Sequence, residues 1–287
     1  MQSIDALKQA VQQAIGSPVA KLTPLMGGCI GEVYRVDLPD NTALVAKVAD
    51  GSGVTLEPEG FMLHYLKTHS SLPVPVVIHT SDILLLMEFI EGDSRFSVSA
   101  EHHAAEFLAA LHTVHAEKFG FERDTLIGGL HQPNPHYDSW IEFFRDQRLF
   151  YMAGEAARVG RLPGHFLNRF EKFAARLGDW LTEPEYPTLI HGDAWTTNVL
   201  SSHDHITGFL DPAIYYAHPE IELAFITLFN TFGMGFFQRY HEMHPIAPGF
   251  FETRRDIYNL YPLLVHVRLF GGGYVASVDS ILRRFGF

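Results

Sequence analysis

One cysteine, Cys29, stands among 287 residues. A lone thiol excludes an internal disulfide framework and suits a reducing compartment. Long apolar runs are also missing: "ILLLMEFI" and "LYPLLVHVRLF" are too short or too interrupted to span a bilayer. The opening residues "MQSIDALKQAVQQAIG" lack a basic flank followed by an apolar stretch, so no secretory signal is expected and a cytoplasmic location is. Basic residues are scarce, 21 Lys and Arg against 33 Asp and Glu, for a net charge of -12. That balance argues against nucleic acid or an anionic membrane as partner and leaves room for a local phosphate site. There is no internal repeat, low-complexity tract or block of like charge. What is present, 47% hydrophobic with 19% charged residues, is the composition of a core-forming globular chain, long enough for two modest domains or one large one.

Ile4, Leu7, Val11 and Ile15 recur at helical spacing up to Gly16 and Pro18, which predicts a short amphipathic helix. The period then changes. "KLTPLM", "EVYRVDL" and "TALVAKVA" read as short strands separated by "GGCIG" and "PDN", the turn chemistry of an antiparallel meander. "EPEGFMLHYLKTH" is helical, and "VPVVIHT" and "ILLLMEF" are two more strands around a turn at "SD". Past "IEGDS" the texture becomes helical: a helix capped by Ser99, a long loop over "TLIGGLHQPNPHYDS", then helices over "WIEFFRDQRLFYMAGEAARV" and "GHFLNRFEKFAARLGDWL". The expected fold class is α+β, with a β-rich part over 1–90, a five-stranded antiparallel sheet crossed by one helix, and a mainly helical part over 91–287.

Four separated pieces make chemical sense together. Gly27, Gly28 and Gly31 precede a strand, where small residues let backbone N–H groups approach phosphate oxygens, although a turn between strands asks for glycine anyway. Lys47 sits inside an apolar strand, and the helix after it offers Glu59 or Glu57 as a partner. In "HGDAWTTNVL", Asp193 is followed after four residues by Asn198, and thirteen residues later Asp211 ends the run "ITGFL". Phosphoryl transfer from ATP needs a carboxylate to accept the hydroxyl proton and hard oxygen ligands for magnesium. Asp, four residues, Asn, strand, Asp is the order in which protein kinases supply these parts. The wording differs from theirs, with His-Gly-Asp for His-Arg-Asp, Asp-Pro-Ala for Asp-Phe-Gly and no Ala-Pro-Glu segment. The arginine that answers an activation-loop phosphate is therefore gone, which points to a small-molecule acceptor.

At this level of detail the chain resembles the fructosamine kinase (ketosamine-3-kinase) family, a branch of the aminoglycoside-phosphotransferase-like kinases with a bilobal protein-kinase-like fold. The matching pieces are "GGCIGEVYRV", "EPEGFMLHYL", "FGFERDTLIGGLHQPNP", "DSWIEFFRDQRL", "LIHGDAWTTNVL" and "FLDPAIYYAHPEIELAF", in order over about residues 24–230. The resemblance implies that Asp193 is the catalytic base with His191 bracing its loop. It implies that Asn198 and Asp211 bind magnesium, and that Lys47 with Glu59 holds the phosphates of ATP. It makes Met87, Glu88, Phe89 and Ile90 part of the hinge whose backbone meets adenine. Trp195 becomes a wall for the sugar, and His218 and Glu222 become candidates for supporting the loop, with His218 set beside the substrate. The implied reaction is phosphorylation of a small-molecule or protein-bound ketosamine, usually at O3, giving an unstable ester that frees the amine. Ala194, Thr196 and Thr197 depart from the family's usual Leu and small residues, a difference that bears on sugar preference. Competing readings are a phosphotransferase for another hydroxyl, such as an amino alcohol or aminoglycoside, and a non-catalytic nucleotide-binding protein. Oligomeric state is left open by the sequence.

Other features have plainer readings. Seventeen histidines invite a metal site, yet there is no HExxH and no cysteine pair. His203 and His205 read as decoration of a hairpin turn, His102 and His103 as solvated, and the phenylalanines of "FNTFGMGFF" as core. Cys29 reads first as an inert thiol and second as a redox handle or inter-chain bridge.

Overall fold

The apolar spacing near the start produces α1 (Ile4–Ile15), with Leu7 and Val11 buried, and Gly16 ends it at a left-handed φ of 68°. The structure, a computed structural model, describes residues 4–25, 31–51 and 53–287. Period-two runs follow as β1 (Lys21–Pro24), β2 (Glu32–Asp37) and β3 (Ala43–Val48), each antiparallel to the next. After α2 (Glu57–His69) come β4 (Val77–Thr80) and β5 (Leu84–Glu88), and β5 inserts between β3 and β4 to complete a five-stranded sheet of order β1-β2-β3-β5-β4. Alternation of side chains assigns the faces. Leu84 and Leu86 join Leu44, Ala46, Leu7 and Val11 in a small cluster on the α1 side. Leu85 and Met87 instead join the larger core with Met62 and Leu66 of α2. The same alternation in β3 turns Lys47 away from Ala46 and Val48, toward α2.

The helical remainder begins with α3 (Val98–Leu111). Its cap is Ser97, not Ser99: the Ser97 hydroxyl accepts the Ala100 N–H at 3.2 Å, so the helix starts two residues earlier than the sequence suggests. The stretch expected to be one long loop contains a hairpin of β6 (Thr125–Ile127) and β7 (Leu130–Gln132). Gly128 and Gly129 both take positive φ, 53° and 77°, which is what a two-residue turn between twisted strands requires. Next, α4 (Trp140–Phe143) runs into a π-helical stretch, Phe144–Phe150, and on into α5 (Tyr151–Arg158), so the expected single helix is interrupted by a wider turn. That stretch carries Arg148 into the core, where it donates to Pro133 O at 2.8 Å and Asn134 Oδ1 at 2.6 Å and stacks on Tyr215.

After α6 (His165–Ala174), two short antiparallel pairs hold the functional loops: β8 (Thr188–Ile190) with a later strand, β11 (Tyr215–Ala217), and β9 (Val199–Ser202) with β10 (His205–Phe209). Helices α7 (Glu220–Leu228), α8 (Met234–Met243), α9 (Arg255–Phe270) and α10 (Gly273–Arg284) complete the chain. Among the described residues no helix is long and apolar enough to cross a membrane. His203 sits at the β9–β10 turn with φ 53°, as expected of a turn residue. His103 is not simply solvated: its Nδ1 accepts the Ile206 N–H at 3.1 Å. The division into 1–90 and 91–287 stands as our proposal, resting on the end of the sheet at Glu88; α2 and the inner face of β5 nevertheless belong to the larger core.

Leu86 is fully buried at the centre of the small cluster. Leu86→Ala should destabilise the protein by about 2–5 kcal/mol, read as a lower urea midpoint at unchanged slope; a loss below about 0.5 kcal/mol would show that the α1 face of the sheet contributes little.

Candidate active site

The site is built on two turns that face each other. Leaving β8, the chain turns at Gly192 (φ 83°), and a Cβ there would collide with the Ala213 carbonyl oxygen. Glycine at this position thus reflects close approach of the segment after Asp211, and Ala213 N–H donates to His191 O at 2.8 Å to tie the two loops together. His191 is buried, and its Nδ1 accepts the Asp193 N–H at 3.3 Å. Burial pushes its imidazole below the ordinary value despite Glu222 and Asp211 nearby, so it braces the loop as a neutral ring. Asn198 immediately precedes β9 and Asp211 follows β10, so the hairpin returns the second to the first; Leu210 N–H donates to Asn198 O at 2.8 Å. Asp211 holds a left-handed φ of 52°, a conformation that asparagine and aspartate tolerate best among non-glycine residues and that recurs at functional sites.

Lys47 reaches the same place from the sheet. Its Nζ lies 2.6 Å from Glu59 Oε1 and also donates to the Asp211 carboxylate, so β3, α2 and the loop after β10 share one buried cation. Glu57 is directed elsewhere, to Arg123 at 2.6 Å, which settles which glutamate faces the lysine. Burial alone would lower the lysine, but Asp211 and Glu59 hold it above its ordinary value. Burial pushes Glu59 up to about 7, against the pull of Lys47. Burial also acts to raise Asp211, and there the lysine prevails and keeps it low. Asp193 sits well above the usual carboxylate range, first through burial and then through the Asp211 charge, while the Asn198 amide, donating to Asp193 Oδ2 at 2.8 Å, opposes the rise.

Glu222, on α7, underlies this loop. Its carboxylate accepts the Gly192 N–H at 2.7 Å, the His191 N–H at 3.2 Å and His112 Nε2 at 2.9 Å, and His112 Nδ1 lies 2.6 Å from the Tyr240 hydroxyl. His112 and Tyr240 are absent from the sequence-based reading; the available signal was a histidine on the buried face of an apolar helix. Next to Asp193 opens a narrow cavity of about 30 Å³, whose lining includes Ile127, Tyr215, Phe225, Tyr261 and His266. Trp195 stands nearby, its ring 5.2 Å from Phe229 and 6.4 Å from His266.

Lys47, Glu59, His191, Asp193, Asn198 and Asp211 are therefore brought together. His218 is not brought to the cavity: it is buried against Tyr258, its Nδ1 accepts the Glu220 N–H at 3.1 Å, and burial beside Arg254 lowers it to about 3. It supports the start of α7, which corrects its placement beside the substrate. Along the expected hinge, Met87 is buried and pairs with Val45, Glu88 N–H donates to Val76 O, Phe89 N–H donates to Ala43 O, and Ile90 lies against Gly208. Gly31 has φ 72°, and a Cβ there would strike the Val48 carbonyl, a requirement of the sheet itself. Gly27, Gly28 and Cys29 lie outside the described residues. The side chains here that could donate to a divalent cation are Asn198 and Asp211, both through hard oxygens. Among the described residues no group of three or more His, Cys, Asp or Glu could hold a metal ion unaided. Two protein ligands suit magnesium, which keeps waters and takes phosphate oxygens for the rest of its shell.

The family model for fructosamine kinase matches residues 3–285. A probable ketoamine kinase of Synechocystis sp. is 32% identical over 288 residues, covering 97% of this chain and 95% of its own. The chloroplastic protein-ribulosamine 3-kinase of Oryza sativa subsp. indica is 32% identical over 282 residues, 92% of this chain and 78% of its own. A solved candidate fructosamine-3-kinase from Thermobifida fusca superposes with a TM-score of 0.88 at 30% identity, covering 98% of both chains.

The Gly192 geometry generates a test. Gly192→Ala combines a positive φ with a backbone collision and should lower the melting temperature by several degrees, equivalent to about 1–3 kcal/mol; a variant as stable as the parent would mean that the turn relaxes freely.

Proposed function

The chain belongs to the fructosamine kinase family, and from that premise we propose that it transfers the γ-phosphoryl group of ATP to a sugar hydroxyl of a ketosamine, with O3 as the acceptor oxygen. What supports the residue roles is the convergence of Lys47, Asp193, Asn198 and Asp211 from positions up to 164 residues apart, with Asp193 also lining the cavity. Asp193 takes the proton of the acceptor hydroxyl. The freed oxygen forms its bond to the γ-phosphorus as the bond from that phosphorus to the β–γ bridging oxygen breaks, which leaves ADP. The raised proton affinity of Asp193 suits a base working nearer neutrality than a free carboxylate does. Lys47 keeps Glu59 and shares itself between Asp211 and the phosphates. Magnesium held at Asn198 and Asp211 would neutralise phosphate charge during transfer. Glu88 and Phe89 commit their amides to the sheet, so a purine would take its backbone N–H contact beyond Phe89. Trp195 borders the acceptor. A single cysteine suits a reducing compartment such as the cytoplasm, and the product ester gives the reaction a place in removing sugars from amines.

Asp193→Asn should cut kcat by about a hundredfold or more, within the range of roughly 10² to 10⁴ that a general base contributes, while circular dichroism stays native. Turnover close to that of the parent would remove Asp193 from the mechanism. With purified protein and magnesium-ATP, adducts of ribulose, erythrulose or fructose on an amine should support ADP release well above background. Background rates with all three, alongside turnover of another alcohol, would overturn the substrate assignment.

A further inference from the structure

The cavity beside Asp193 is walled on one side by aromatic rings. Its wall includes Phe225 and His266, and from there a run of rings continues outward. Phe225 lies 5.8 Å from Phe229, Phe229 lies 5.0 Å from His266, and His266 lies 4.9 Å from Tyr274 and 5.8 Å from Phe270. Along this run burial falls away: Phe225 is buried, Phe229, His266 and Tyr274 are half-buried, and Phe270 is 58% exposed. The run is made by α7 on one side and by the α9–α10 junction on the other, where Gly271, Gly272 and Gly273 separate Phe270 from Tyr274. The run therefore passes from a ring in the core, through Tyr274 packed partly against that core, to a ring in solvent, and its outer members present aromatic faces on the way out from the cavity wall.

The chemistry of the neighbours narrows the ligand. A ketosamine differs from a free ketose by its amine arm, a secondary ammonium followed by an organic group. The two carboxylates in the cavity wall are already engaged, Asp193 by Asn198 and by its part in proton transfer, and Glu222 by two backbone amides and His112. The ammonium must therefore be read by something other than a carboxylate. Aromatic faces attract cations through their quadrupole. His266 Nδ1 lies 2.8 Å from Pro262 O, so that nitrogen carries the hydrogen, and Nε2 is left as an acceptor. Burial keeps this imidazole below its ordinary value and hence uncharged near neutrality, so it does not repel a cation.

We propose that Phe229, His266, Tyr274 and Phe270 form the subsite for the amine arm of the substrate, taking its secondary ammonium on ring faces near the cavity and an N-alkyl chain, such as that of a lysine side chain, along the outer rings. The inference rests on the phosphotransfer reading and deepens it. It makes the arm, as well as the sugar, a determinant of specificity, and it ranks N-alkyl adducts above the unsubstituted 1-amino-1-deoxyketose.

Initial rates with two acceptors that share one sugar, the 1-amino-1-deoxyketose and its adduct on Nα-acetyl-lysine, test it. The parent enzyme should favour the lysine adduct in kcat/KM. Phe270→Ser changes an exposed residue outside the reacting centre, so its fold and its KM for ATP should not move. Its kcat/KM for the lysine adduct should fall about twofold to fivefold, the loss of one aromatic–cation or aromatic–alkyl contact at an exposed site, with kcat/KM for the short amine unchanged. Tyr274→Ser, checked by melting temperature, should show the same selective loss. Equal effects on both acceptors, no effect on either, or a parent that prefers the short amine would each overturn the subsite while leaving ketosamine phosphorylation intact. Turnover of neither acceptor, with another alcohol accepted, would instead sink the underlying reading and this subsite with it.

Discussion

A single buried ammonium organises the molecule. Lys47 Nζ sits between Glu59 and Asp211, and each of the three comes from a different element. Removing these charges from water is costly, and only their mutual attraction offsets it. The sheet, the helix that crosses it and the loop after β10 are thereby held to one arrangement, because any separation would leave a charge both buried and unpaired. Under the proposed function, an arriving phosphate would not have to create this order, because the cation is already held in place between two carboxylates.

The opposite wall is fixed by neutral means as well as ionic ones. Glu222 collects two backbone amides and a histidine, so the turn carrying Asp193 is pinned by its main chain, while the Asp193 carboxylate itself is held by the Asn198 amide. Gly192 permits the approach, and the tie from Ala213 N–H to His191 O couples the base to the segment that follows Asp211. The proposed base, Asp193, and the proposed metal ligand, Asp211, are in this way set by one local scaffold.

Parts of this were legible in the sequence because they are local. A lysine in an apolar strand and the spacing of Asp193, Asn198 and Asp211 around a hairpin follow from strand period and turn chemistry. The choice between Glu57 and Glu59 was not, since both lie in the first turn of α2 and only the rotation of that helix decides which meets Lys47 and which meets Arg123. The hairpin over 125–132 was masked by its richness in glycine, proline and asparagine, although the Gly-Gly pair between "TLI" and "LHQ" is itself a turn signature. The Ser97 cap was displaced by two residues because Ser99 is an equally good cap by composition. His112 and Glu222 are 110 residues apart and leave no local trace of their contact. His218 was misplaced for a related reason: a histidine beside the functional loops in sequence turned out to face Tyr258 and the start of α7.

The π-helical stretch Phe144–Phe150 has a bearing on how the chain can change over time. A wider turn of this kind accommodates about one residue more than a regular helix would. Losing that residue would rewind the segment and rotate everything on one side by about 100° relative to the other. Arg148 would swing off the Tyr215 ring and release Asn134. Side chains along this stretch can drift within the limits of packing, but its length is locked, and insertions or deletions are expected to accumulate on either side of it and not inside it.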